Sequence, residues 1–97
     1  MNFNDHVSAH RRLAILKLLF DSMAYTSNDI FLKNALMAIG QPVSSDTLRN
    51  ELQWLHEQQL VVANPMEGIT SATLTVRGSD VIGGLTHVIG VARPEPV

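Results

Sequence analysis

The chain has no cysteine, which excludes disulfides, a thiolate metal site and a thiol nucleophile. That composition fits a reducing compartment, and a cytoplasmic protein is expected. Basic residues are few: seven Lys and Arg face nine Asp and Glu, for a formal charge of -2 at pH 7. No global positive field therefore draws the chain onto nucleic acid or an anionic membrane. No apolar run approaches the ~20 residues of a membrane-spanning helix. Within the first helical pattern, Leu18-Leu19-Phe20 is already bounded by Lys17 and Asp21. Met1 to Asp5 lacks a basic region followed by an apolar core, so no signal peptide is expected. There is no internal repeat and no low-complexity segment. Catalytic signatures are missing too: no Gly-x-Ser-x-Gly turn, and no Gly-rich phosphate loop before a helix. Neither an enzyme nor a cofactor is expected.

What is present is a chain of 97 residues, 45% hydrophobic, enough for one domain. Helical spacing predicts a first helix over about Asp5 to Met23, capped by Asn4 or Asp5. Ala9, Leu13, Leu16, Phe20 and Met23 line its core side, with Leu19 at the edge. A second apolar set, Val7, Ala14, Ile15 and Leu18, falls on the opposite side around Arg11. Tyr25-Thr26-Ser27 reads as a short polar linker. A second helix is predicted from Asn28 to Ile39, with Ser27 or Asn28 as cap and Asp29 at the positive end of its dipole. Gly40 and Pro42 end it. Ser44 caps a third helix whose stripe is Leu48, Leu52 and Leu55, ending at Leu60, with Asp46, Arg49, Asn50, Gln53 and Glu57 opposite.

The periodicity then changes. Leu60-Val61-Val62-Ala63 is β-branched and apolar, Asn64 to Gly68 carries turn chemistry, and Thr70 to Val76 alternates. Thr75 is placed to cap a short last helix ending at Ile82 before Gly83-Gly84. Leu48-x3-Leu52-x2-Leu55-x4-Leu60-Val61 resembles a recognition helix running into a wing strand. Leu74-Thr75-x2-Gly78 resembles the end of a second wing strand. The predicted architecture is α+β: a winged helix-turn-helix of three helices, a two-stranded wing hairpin and a short C-terminal helix. The domain is placed at residues 1–86 and an extended tail, with Pro94 and Pro96, at 87–97.

A closer likeness rests on His10-Arg11-Arg12-Leu13-x-Ile15-Leu16, the turn before Ser44, Trp54-Leu55-x-Glu57-Gln58-x-Leu60-Val61 and Gly90-Val91-x-Arg93-Pro94. These resemble a family of small proteins of Mu-like phages and prophages, with a general likeness to ArsR and MarR regulators. The resemblance implies a winged helix and a DNA-binding transcriptional regulator. The alternative is a winged-helix module that binds a protein and never touches DNA.

For DNA, the candidate side chains are Ser45, Arg49, Asn50 and Gln53 on the third helix and Lys33 on the second. Arg reads guanine, and Asn or Gln reads adenine, in the major groove. Asp46, Glu51 and Glu57 beside them would repel phosphate, and the wing offers Glu67 with no Lys or Arg. The second apolar set suggests a homodimer through Val7, Arg11, Ala14, Ile15 and Leu18. His6 and His10 stand one helical turn apart, but without a third ligand no metal site is expected. Trp54 reads as cover between helices rather than a base-stacking platform. The four methionines read as core or interface filler.

Overall fold

Residues 2–95 are described by the computed structural model. The first helix, α1 (Phe3–Phe20), is capped by Asn2 rather than by the expected Asn4 or Asp5. Asn2 and Asp5 form a reciprocal capping box: the Asp5 amide donates to Asn2 Oδ1 at 2.9 Å, and the Asn2 amide donates to Asp5 Oδ2 at 3.4 Å. At the other end α1 stops at Phe20 rather than Met23. The Ser22 hydroxyl turns back onto the Leu18 carbonyl at 2.7 Å, and a 3-10 turn follows at Met23–Tyr25. Ala24 and Tyr25 have φ of 54° and 57°, which turns the chain sharply away from the helix axis. Phe20 and Met23, expected in the core, are therefore exposed, Met23 at 93%. Met23 lies beyond the end of α1, and Phe20, its last residue, meets the Tyr25 ring with centroids 5.9 Å apart.

The expected linker contains a strand, β1 (Thr26–Asn28). It is followed by α2 (Asp29–Ala38), α3 (Ser45–Glu57), β2 (Val61–Met66), β3 (Ile69–Leu74) and α4 (Val76–Ile82). Asn28 caps α2 through Oδ1, which accepts from the Phe31 amide at 2.8 Å. Ser44 caps α3, accepting from the Thr47 amide at 3.1 Å. The sheet is antiparallel in the order β1-β3-β2, so the expected two-stranded hairpin gains a third strand. Thr26 pairs with Thr73, and their hydroxyls meet at 2.9 Å. The wing register runs from Val61 opposite Leu74 to Met66 opposite Ile69. Its turn is only two residues, Glu67 and Gly68, with φ of 51° and 81°, the mirror-type turn that suits twisted strands.

The core is one cluster joining Leu13, Leu16 and Leu19 to Leu32, Leu36, Leu48, Leu52, Leu55, Leu60, Val61 and Leu74. Ile15, placed by the sequence reading on a free side of α1, belongs to this cluster and is fully buried. It has no surface left to offer a second copy. The buried sector of α1 is broad because α2, α3, α4 and β3 all pack on it. Among the described residues after α4, 83–95, there is no helix or strand, yet this segment packs back on α1. Val88 and Val91 are buried in the core, and the Ala92 amide donates to the Ala9 carbonyl at 3.1 Å.

Thr75 fastens α4 to the end of α3. Its Oγ1 accepts from the Gly78 amide at 3.0 Å and donates to the Gln59 carbonyl at 2.7 Å. A Cβ on Gly78 would fall on the Leu60 carbonyl, so only glycine allows this approach. These junctions fix the angle at which α3 and the wing stand on the domain.

Candidate nucleic-acid interface

The cap at Ser44 starts α3 in a phase that sends Leu48, Leu52 and Leu55 inward. Three and four residues along the same helix, the opposite side presents Arg49, Asn50 and Gln53 to solvent, with Ser45 half-buried at its start. The four predicted reading residues on α3 therefore do share a surface. Lys33 reaches it from α2: its Nζ donates to Ser45 Oγ at 3.1 Å. Between the helices lies a cleft of about 300 Å³, lined by Asp29, Lys33, Ser45 and Arg49 with Ile30 and Met37 on the rim.

The electrostatics of the face are mixed. Arg49 Nε donates to Asp29 Oδ2 at 3.3 Å, while its Nη1 lies 3.5 Å from Asp46 Oδ1. Gln53 Nε2 reaches Glu57 Oε2 at 3.5 Å. Asp46 and Glu57 are exposed, so these two long contacts hold the Arg49 guanidinium and the Gln53 amide only weakly. Asp29 is different, being only 5% exposed. Its place in the first turn suits the helix dipole, but no local spacing reveals Arg49 as its partner.

Most remaining cations are engaged elsewhere. Arg11 Nη1 and Arg12 Nε bind the two oxygens of Glu51 at 3.2 and 2.9 Å. The Arg12 guanidinium also lies 3.9 Å over the Trp54 ring and donates to the Gly90 carbonyl at 3.0 Å. Glu51, expected to repel phosphate from beside the reading face, is instead buried and faces α1. Arg11, expected at a dimer interface, is tied to α3 of its own chain. Trp54 is cover between helices, with Arg12 as its lid. Arg77 Nε donates to the Gln58 carbonyl at 3.1 Å.

The wing carries no cation, and Val62, Met66 and Ile69 are exposed along it. Its outer edge is closed to further strands: the Ala63 amide donates to His56 Nδ1 at 3.1 Å, and Pro65 has no amide proton. Among the described residues, no group of three or more His, Asp or Glu is arranged to hold a metal ion. No helix among them is long and apolar enough to cross a membrane.

No family model matches the sequence. The chain is 43% identical over 93 residues to the uncharacterized protein gp26 of Escherichia phage Mu, covering 96% of both chains. An uncharacterized protein of Haemophilus influenzae is 30% identical over 78 residues, covering 79% of this chain and 76% of that one. Among solved structures, the fold is similar to Sco5413, a MarR family transcriptional regulator from Streptomyces coelicolor, with a TM-score of 0.65 and 25% identity. That match covers 82% of this chain but 59% of the regulator, so this chain spans little more than half of its neighbour's length. The fold is thus similar to the winged helix of a transcriptional regulator, and the phage likeness is direct. The chain belongs to the family of the phage Mu protein gp26.

Proposed function

We propose that the protein is a phage or prophage transcriptional regulator that binds double-stranded DNA in the cytoplasm by placing α3 in the major groove. The observation carrying this reading is the solvent-facing row Arg49, Asn50 and Gln53, mounted on a scaffold similar to a MarR regulator. Arg and Asn or Gln side chains at the start of a recognition helix are the groups that read base edges. Lys33, held beside Ser45, supplies a phosphate contact from α2.

A single copy offers few phosphate contacts, and a two-fold dimer doubles them. With Ile15 buried and Arg11 paired internally, the α1 surface left for a second copy is Val7, Ala14 and Leu18, extended by the 79% exposed Phe3. Two adjoining grooves run along this side, lined by Phe3, Val7 and Pro42 and by Ala14, Leu18 and Ile39. Leu18 also packs on the core, so Val7→Glu is the cleaner probe of the interface. Sedimentation at micromolar concentration should show a dimer that Val7→Glu splits; a wild-type monomer removes this part of the proposal.

The regulator reading is tested by mobility shift with a randomised pool of duplexes at low salt. Enrichment of a two-fold-related sequence is the expected outcome, and no shift with any duplex would overturn it. The second reading, a protein-binding module, is favoured by one observation: Ile30, Phe31 and Met37 are all more than half exposed on α2, Ile30 and Met37 lining the cleft beside Arg49.

A further inference from the structure

Arg49 is the only side chain of the reading row held by a buried partner. Asp29 opens α2 with its side chain 6% exposed, and Arg49 is the one cation that meets it among the described residues. Asp29 Oδ1 is buried and accepts no hydrogen bond. A carboxylate withdrawn from water needs a cation or donors facing it, so this pairing is far more constrained than the exposed Arg49–Asp46 contact. The engaged atom matters as well. Asp29 takes Nε on one edge of the guanidinium, which leaves the two Nη groups at its far end, Nη1 meeting only the exposed Asp46 at 3.5 Å. That end is the fork that binds guanine O6 and N7 together.

We propose that Asp29 is a positioning residue for base reading, which clamps Arg49 through Nε so that its Nη pair is presented to a guanine in the major groove. This rests on the DNA-binding reading above. An unrestrained arginine loses much rotamer freedom on meeting a base, and a clamp formed beforehand removes part of that loss. Because the clamp comes from α2, the orientation of Arg49 is coupled to the α2–α3 angle. Asp29 thereby acts on specificity without touching DNA.

The experiment starts from the sequence that the wild type selects from a randomised duplex pool, followed by competition between that duplex and one with its guanine replaced. Wild type should prefer the guanine duplex by about ten-fold or more. Asp29→Asn should bring that ratio close to one by weakening the guanine duplex alone, Asp29→Glu should give an intermediate ratio, and Arg49→Lys should lose the preference while keeping a cation opposite Asp29. In an Arg49→Ala background, Asp29→Asn should leave the ratio unchanged. A merely structural tie between α2 and α3 predicts something else: both duplexes weaken equally and the ratio survives. That result, with a selected sequence in hand, overturns the clamp and leaves the regulator standing. A wild type that selects no sequence overturns both. Should Asp29→Asn fail to fold by circular dichroism, the Asp29→Glu ratio decides, and a wild-type value there also overturns the clamp.

Discussion

Glu51 lies three residues after Leu48 and four before Leu55, on the stripe that α3 buries. A carboxylate at such a position must find cations, and Arg11 and Arg12 supply them from α1, one guanidinium to each oxygen. The three side chains are 6%, 15% and 18% exposed, so solvent screens this triad much less than a surface pair. Glu51→Ala would leave two half-buried guanidiniums facing a gap. Stability should fall by about 2–4 kcal/mol, read from urea unfolding. Asp46→Ala, which touches only the exposed side of Arg49, should change it by no more than about 0.5 kcal/mol. A charge inside a leucine stripe demands a partner, a signal overlooked when Glu51 was placed beside the reading face; the identity of the partner was not legible, because Arg11 and Arg12 lie some 40 residues away. Gly90 belongs to the same cluster. With φ of 102° and Trp54 at 2.8 Å from the place of a Cβ, it lets the C-terminal segment lie flat on the indole.

Among the elements, the starts of α2, α3 and α4 were legible from their caps, whereas the Asn2 cap of α1 was missed and the strand that depends on a distant partner was not legible. Asn28, Ser44 and Thr75 each precede a helix and each bond an amide three residues on, a local rule written in the chain. The strand β1 has three polar residues and no periodicity, and it exists only because β3 offers an open edge. Phe20 and Met23 misled for the converse reason: the helical spacing was carried past Phe20, where α1 ends and the chain turns away. The α4 junction gives a sharp test. Gly78→Ala puts a methyl against the Leu60 carbonyl and within 2.6 Å of Leu74 Cδ1, so α4 or the wing must shift. A loss of at least about 2 kcal/mol is expected in thermal or urea unfolding. The wing turn predicts the opposite sign. Glu67 adopts φ of 51°, a conformation costly for Glu and tolerated by Asn. Glu67→Asn should therefore stabilise the protein by about 0.5–1 kcal/mol, visible as a raised unfolding midpoint.

At the scale of the whole molecule, the distribution of charge matters more than its total of -2. Of the seven cations, Arg11 and Arg12 are locked to Glu51, and Arg77 lies on the Gln58 carbonyl past the end of α3. Lys17 borders the groove along α1, and Arg93 lies in the C-terminal segment packed on the same helix. Only Lys33 and Arg49 stand at the proposed reading face, and in the proposed clamp Arg49 is turned to a base rather than a phosphate. A dimer thus brings few cations to the DNA backbone, and contacts beyond Lys33 would have to come from backbone amides and neutral side chains. Each neutralised phosphate contributes about -0.9 to the slope of log K against log salt. With one or two such contacts per protomer, the slope for the dimer should lie between about -2 and -4. Binding would then be weak in absolute terms, specific through α3, and only mildly sensitive to salt. Titration of the selected duplex across a range of potassium chloride concentrations measures this directly. A slope steeper than about -6 would mean that cations now facing α1 and Glu51 have turned to the DNA, and the charge network would have to open on binding.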